Sequence, residues 1–138
     1  MMGFTGPINA IVIGASGGVG SAVVDAIHGA SPDNTVWATS RSGSKIPTTA
    51  AERSTLDIVN EASVERFTND VKTSGFTPNL VFNCSGLLHT PDFGPERSWR
   101  HLNIDTMRTV FDVNTFGVAL LGKHLIPLIP REGRSIFA

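Results

Sequence analysis

The chain has 138 residues, which fits one domain (1–138) built around a single hydrophobic core. Its formal net charge is −1, and its 11 lysines and arginines are scattered along the chain. This pattern argues against nucleic acid or an anionic membrane as a partner. The only cysteine, Cys84, excludes an internal disulfide and a multi-cysteine zinc site, and it is expected of a cytoplasmic protein.

Apolar runs and helical repeats alternate along the chain. The apolar runs predict strands at residues 9–13, 35–39, 54–58 and 79–83, with a further strand beginning in the final "RSIFA". Helical spacing predicts a helix from Gly18, one from the cap residue Asn60 to near Gly75, and a long one over 105–126 that prolines end. Alternating strands and helices indicate an α/β Rossmann-like doubly wound parallel sheet with strand order 3-2-1-4-5.

The segment "GASGGVG" (14–20) places glycines between the first predicted strand and its helix. In such a turn, one glycine permits the tight bend, one lets the backbone approach a pyrophosphate, and one lets helix and strand pack closely. The helix start also directs N–H groups and a partial positive charge at the phosphate. The segment therefore predicts a dinucleotide site. The alternative is a glycine-rich turn needed for packing alone.

Three later motifs can be read together with this turn. They are "LDI" with Asp57, "NCSG" at 83–86 and "DVNTFG" with Asn114. In this order the motifs resemble the short-chain dehydrogenase/reductase family, in its C-factor-like branch, over the whole chain. Cys84 and Ser85 depart from the family's usual Asn-Ala pair. The resemblance implies the N-terminal part of an NAD(P)-dependent oxidoreductase, truncated after strand five, that transfers hydride between carbonyl and alcohol.

The resemblance also implies roles for single residues. It implies that Asp57 meets the adenine and that Asn114, the one catalytic position present, helps to hold a water of the proton relay. Taken alone, Asp57 could merely end a strand, and Asn114 could be a hydrogen-bonded core residue, at least partly buried because it interrupts an apolar stripe. Cofactor contacts are predicted at Gly14, Ser16, Gly17, Gly18, Val19, Gly20, Asp57, Ile58, Asn83, Ser85 and Gly86.

The end of the second strand bears on the choice between NAD and NADP. An NAD site places a carboxylate there for the ribose hydroxyl, about 20 residues past the glycines. Here the segment "TSRSGSK" has no acid, and a guanidinium fits a 2′-phosphate with charge-assisted hydrogen bonds. We therefore expect NADP rather than NAD, bound through Ser40 and Arg41. The alternative is a solvated basic loop.

The chain contains no tyrosine. The family protonates its product through a Ser and a Tyr-x-x-x-Lys segment, so the resemblance supplies the cofactor half of a site without its proton donor. Two main functions stay open: part of an NADP-dependent reductase that is inactive alone, and a non-catalytic dinucleotide-binding or assembly module completed by another chain. A distinct enzyme that uses other residues is a third, less favoured option. The substrate is not assigned.

Further expectations concern partners and metals. An open edge at the last strand and an uncovered apolar helix face predict a homo-oligomer formed through the 105–126 helix. The histidines, which are His28, His89, His101 and His124, lack metal-ligand spacing, so no metal site is expected. The apolar stretch 118–130 is interrupted by Lys, His and Pro, so no bilayer span is expected.

Overall fold

Strands and helices alternate through a computed structural model that describes residues 6–131 and 136–137. The strands are β1 (Asn9–Ile13), β2 (Thr35–Ser40), β3 (Glu52–Thr55), β4 (Leu80–Asn83) and β5 (Ile136–Phe137). The helices are α1 (Gly18–Ala30), α2 (Glu61–Ser74), α3 (Ile104–Phe111) and α4 (Val118–Leu125), with a π-helical turn (Asp112–Gly117) between the last two. Short 3₁₀ turns lie at Trp99–His101 and Ile126–Leu128.

The strands form one parallel sheet in which β1 lies between β2 and β4, and β3 lies beyond β2. The predicted Rossmann-like α/β fold and the strand order 3-2-1-4 are confirmed. Beyond β4, Ile136 and Phe137 pair in parallel with Leu80 and Val81. The other residues of the predicted "RSIFA" strand, 134, 135 and 138, lie outside the described part of the chain.

Both faces of β1 are buried, which explains its unbroken apolar run. Ile11 and Ile13 belong to a core cluster with residues of α2 and α4, whereas Ala10 and Val12 belong to a second cluster with α1. The exposed fraction of each of these side chains is at most 1%. Central parallel strands are covered on two sides in this way, so alternation of apolar and polar residues is absent.

The predicted bounds of three strands were wrong. The second strand was expected to end at residue 39 but extends to Ser40. The third strand was expected at 54–58 but spans Glu52–Thr55, and Leu56 and Ile58 are buried in the core beyond its end. Their apolar character comes from packing rather than from strand pairing. The fourth strand begins at Leu80 rather than residue 79, although Asn79 N still donates to the Asn9 carbonyl (2.9 Å) and the Asn79 side chain accepts from Asn9 N.

The boundaries of α2 follow their predicted signals. The Asn60 side chain accepts a hydrogen bond from Ser63 N, which satisfies one of the free N–H groups at the helix start. At the other end Gly75 takes the left-handed conformation (φ 76°), and its N–H donates to the Lys72 carbonyl. Asn60 as cap and an end near Gly75 are both confirmed.

The single long helix expected over 105–126 was wrong in its interior. The π-helical turn divides it into α3 and α4, and the extra residue per turn rotates the faces relative to each other. Leu121 is therefore fully buried, whereas Phe111, which was expected on the same stripe, is 51% exposed. Among the described residues, none of the helices combines the length and apolar character that crossing a bilayer requires.

Two asparagine side chains hold the start of β1. The Asn34 carboxamide accepts from Ile8 N (2.9 Å) and donates to the Ile27 carbonyl (2.8 Å). The Asn79 carboxamide accepts from Asn9 N (2.9 Å) and donates to the Pro7 carbonyl (3.0 Å). The central strand is thus fixed from both neighbouring connections at the sheet edge opposite the glycine turn.

Candidate functional site

A cleft of about 560 Å³ opens at the carboxyl edge of the sheet. Its walls come from the segments that follow β1, β2, β3 and β4, together with α3 and the first residues of the π-helical turn. In open parallel α/β sheets this edge is where ligands bind, because the loops diverge there and the helices point their N-termini at it. The cleft is therefore the candidate site.

Two glycines of the turn after β1 are required by packing. Gly14 has φ +78°, and a Cβ on it would lie 2.9 Å from the Ser85 nitrogen. A Cβ on Gly20 would lie 2.3 Å from the Gly14 carbonyl oxygen. Side chains at either position would collide with backbone, so the packing interpretation holds for these two.

Gly17 and Gly18 have no such packing role. A Cβ on Gly18 would meet nothing within 4 Å, and the nearest atom to one on Gly17 would be 3.5 Å away. Both are exposed, Gly17 is the N-cap of α1, and glycine offers no side chain to cap the first N–H groups of the helix. Open backbone at a helix N-terminus fits a diphosphate, since the N–H groups and the helix dipole both favour an anion.

The residues after β2 have different positions. Arg41 is exposed and lines the cleft. Within the described residues no carboxylate forms an ion pair with it, so its guanidinium is available to a ligand. Ser40 is 2% exposed, and its hydroxyl donates to the Ser44 carbonyl (3.1 Å). Ser40 therefore organises the loop and does not line the cleft.

The segment after β3 forms a second wall. Asp57 lines the cleft, and its Oδ1 accepts from Val59 N (3.2 Å) while its own N–H donates to Ser63 Oγ (3.1 Å). One carboxylate oxygen thus stabilises the turn into α2. Ile58, with 6% exposure, borders both the core and the cleft.

The "NCSG" segment forms the floor of the cleft. Asn83 Oδ1 accepts from both Ser85 N (3.1 Å) and Ser85 Oγ (2.5 Å), which fixes the bend after β4. Cys84, Ser85 and Gly86 line the cleft. Burial raises the pKa of the Cys84 thiol, so the thiol stays protonated and behaves as a small apolar group.

Asn114 lies in the π-helical turn and holds the loop after β4. Its Oδ1 accepts from Leu87 N and its Nδ2 donates to the Leu87 carbonyl, both at 2.7 Å. The expected hydrogen bonding is present, but the expected burial was wrong, because Asn114 is exposed. The π-helical turn places it at the surface beside the loop instead of on the core stripe.

We expect Asn114→Ala to loosen this loop. Loss of two hydrogen bonds, each contributing about 1 kcal/mol, should speed hydrogen exchange of the Leu87 amide about 30-fold. The matched control is Thr115→Ala, an exposed neighbour in the same turn. Amide exchange measured by NMR checks this, and equal rates in the wild type and Asn114→Ala would show that the two bonds do not hold the loop.

The cleft brings together many, but not all, of the residues predicted to bind a cofactor. Those lining it are Gly14, Ser16, Gly17, Arg41, Asp57, Ile58, Ser85 and Gly86. Those outside its lining are Gly18, Val19, Gly20, Ser40 and Asn83, and Asn114, which was predicted as a catalytic residue, also lies outside it. Lining residues that the sequence did not single out for the site include His89, Thr90, Thr109 and Asp112. No local spacing marks these four, because loop and helix geometry alone bring them to the cleft.

Solved structures share this fold. The aldohexose dehydrogenase of Thermoplasma acidophilum has a TM-score of 0.74 and 20% identity, over 92% of this chain and 47% of its own. A short-chain dehydrogenase of Leptospira borgpetersenii with bound NAD+ has a TM-score of 0.73 and 19% identity, over 88% of this chain and 46% of its own. A short-chain dehydrogenase of Streptomyces avermitilis has a TM-score of 0.72 and 23% identity, over 88% of this chain and 44% of its own.

Comparison with family models and with curated proteins finds no match. The structural likenesses confirm, at the level of the fold, the resemblance to short-chain dehydrogenases that the motifs predicted. The chain spans about half the length of these neighbours, as an N-terminal part of the family's fold would.

Proposed function

We propose that the cleft binds NADP(H) and that the chain is the cofactor-binding part of a short-chain dehydrogenase/reductase-type oxidoreductase. The observation that carries this proposal is the open backbone of Gly17 and Gly18 at the start of α1, beside a cleft that reaches the unpaired Arg41. A diphosphate at the helix start and a 2′-phosphate at Arg41 would use both features. NADP is favoured over NAD because the segment "TSRSGSK" (39–45) at the end of β2 contains no carboxylate.

Different residues of the cleft would bind different parts of the cofactor. The N–H groups at the start of α1 would hold the diphosphate, Arg41 would neutralise the 2′-phosphate, and Asp57 would lie against the adenine. Asn114 would keep the loop at Leu87 in place. When bound, NADPH supplies the hydride for carbonyl reduction. The tyrosine that donates the proton in the family must come from elsewhere, because the chain has no tyrosine.

The proposal also covers carbonyl reduction by the complete enzyme. We propose that the purified chain binds the cofactor without appreciable carbonyl reduction, and that a Ser and a Tyr-x-x-x-Lys segment completes the enzyme. A screen of carbonyl substrates with NADPH, followed at the cofactor's absorbance, tests this. Turnover by the chain alone would contradict it, and failure of NADPH to bind would contradict the cofactor site itself.

The experiment that tests the cofactor site is a fluorescence titration of NADPH against Gly18→Ala. The added methyl group meets no protein atom within 4 Å, so the fold should be retained. It would occupy space at the helix start, and we expect NADPH affinity to fall about fivefold, about 1 kcal/mol. Ala26→Gly, on the exposed face of α1, is the control. Unchanged affinity in Gly18→Ala would contradict diphosphate binding at the open start of α1.

We also propose a homo-oligomer formed through residues 105–126. Phe111 (51% exposed), Phe116 (58%) and Ile126 (53%) leave apolar surface on this segment. Exposed aromatic side chains are typical of interfaces, since their burial removes large apolar area from water. Light scattering at micromolar concentration should give at least twice the chain mass.

The charged variant Phe116→Glu should reduce that mass to one chain, because an interface tolerates a buried unpaired carboxylate poorly. Ala26→Glu places the same charge on exposed α1 and should leave the mass unchanged. A single-chain mass for the wild type would refute the oligomer. The same mass for wild type and Phe116→Glu would move the interface away from this segment.

A further inference from the structure

A cluster of two carboxylates and one imidazole, side-chain types that can bind a metal ion, lies between α2 and α4. It consists of Glu61 and Glu65 on α2 and His124 on α4. One ligand atom from each residue lies within 4.8 Å of the others. None of the three lines the cleft, so the cluster is separate from the proposed cofactor site.

The backbone fixes the arrangement of this cluster. Glu61 and Glu65 are four residues apart, so both carboxylates project from one face of α2. His124 faces them from the packed helix α4, and its side chain is only 15% exposed. Its Nε2 lies 2.9 Å from Glu61 Oε1, so the ring nitrogen points at the carboxylates and not at the core.

A cation already interacts with this group. Lys123 Nζ lies 2.6 Å from the same Glu61 Oε1. The hydrogen bond from Lys123, with that from His124, holds the pKa of Glu61 below its usual range, so this carboxylate is ionised at neutral pH. The Lys123 side chain is 63% exposed and can turn into water, which would free Glu61 for a different cation.

We propose that Glu61, Glu65 and His124 bind one divalent transition-metal ion of the zinc type. Imidazole with carboxylate oxygen is a donor set that suits Zn²⁺ and excludes a preference for Mg²⁺ or Ca²⁺, which take oxygen ligands alone. Zinc bonds of about 2.0–2.1 Å place tetrahedral ligand atoms about 3.3 Å apart. The Glu65 side chain is exposed and can therefore turn toward that distance, and water would take the fourth position.

Sequence spacing alone did not reveal this group, because Glu61 and His124 are 63 positions apart. Only the packing of α2 against α4 joins them. A bound ion would link the two helices and stabilise the folded chain by mass action. Metal binding does not depend on nucleotide binding, so the proposed cofactor site and the proposed metal site are tested independently.

The test is a calorimetric titration of the chelator-treated full chain with ZnCl₂. We expect one zinc ion per chain, a dissociation constant in the micromolar range, and a higher melting temperature when zinc is bound. When Co²⁺ is added in place of zinc, we expect the visible absorption of a four-coordinate ion. His124→Ala should abolish binding, and Glu65→Gln, at an exposed position, should weaken it about tenfold, about 1.4 kcal/mol. His28→Ala, an exposed histidine on α1, is the control.

Lys123→Ala separates a metal site from a plain ion-pair cluster. Removal of the competing ammonium frees Glu61, so zinc affinity should rise severalfold. The proposal is overturned if the wild type takes up no zinc, if Glu65→Gln and His124→Ala bind it like the wild type, or if Lys123→Ala leaves affinity unchanged or lower. The Glu65→Gln variant keeps the test decisive should His124→Ala fail to fold.

Discussion

Gly20→Ala is expected to lower the free energy of unfolding by about 3 kcal/mol or more, the upper range for overpacked sites. The new Cβ would lie 2.3 Å from the Gly14 carbonyl oxygen and 2.9 Å from the Ala15 Cα, both backbone atoms that cannot rotate away. Helix α1 would have to move from the end of β1. For a chain of this size the melting temperature should fall by about 10 °C, which calorimetry measures directly.

Gly18→Ala is the matched control for this prediction. It places the same methyl group two residues earlier, where nothing lies within 4 Å. Alanine also favours helix formation over glycine, by up to about 1 kcal/mol. We expect the stability of Gly18→Ala to equal or exceed that of the wild type. Similar melting temperatures for both variants would show that the close approach of Gly20 to Gly14 does not limit stability.

Arg41→Glu is expected to weaken NADPH binding about 30-fold or more, because charge-assisted hydrogen bonds contribute about 1.5–3 kcal/mol and the new carboxylate repels the 2′-phosphate. NADH carries no phosphate there, so its affinity should change by less than about twofold. The Arg41 side chain is exposed, and the substitution should leave the fold intact. Fluorescence titrations with both cofactors give the two affinities.

Arg53→Glu provides the corresponding control. Arg53 is exposed on β3, and it does not line the cleft, so this variant carries the same change in net charge without facing the ligand. Its NADPH affinity should stay within about twofold of the wild type at physiological salt, because distant exposed charges are screened. Equal losses for NADPH and NADH in Arg41→Glu would remove Arg41 from the phosphate site and leave it as part of a solvated loop.

The sequence predicted the central part of the fold well because burial on two faces leaves a clear signal. β1 is apolar from Ala10 to Ile13 and ends directly before Gly14, which adopts a positive φ, so both its position and its end were predictable. The edge strand β3 gave no such signal, since its residues Glu52–Thr55 are largely exposed and contribute no apolar run. The apolar Leu56 and Ile58 just beyond it misled the prediction.

The candidate site was predictable where a backbone requirement selects a residue type. Gly14 and Gly20 have such a requirement, and the composition of the turn reflects it. The π-helical turn does not, because a change of hydrogen-bond register by one residue leaves no mark in composition. The exposed position of Asn114 was therefore unpredictable, and so was the presence of His89 in the cleft. Both depend on how loops and helices pack in three dimensions.

The carboxamides of Asn34 and Asn79, which both hold the start of β1, lie at the edge of the sheet opposite the loops that line the cleft. Anchorage of the central strand is thus spatially separate from the surface that selects a ligand. Exposed cleft residues such as Arg41 can change without disturbing that anchorage. If the cleft binds NADP(H) as we propose, cofactor preference could be redesigned, or could drift in evolution, at little thermodynamic cost to the fold.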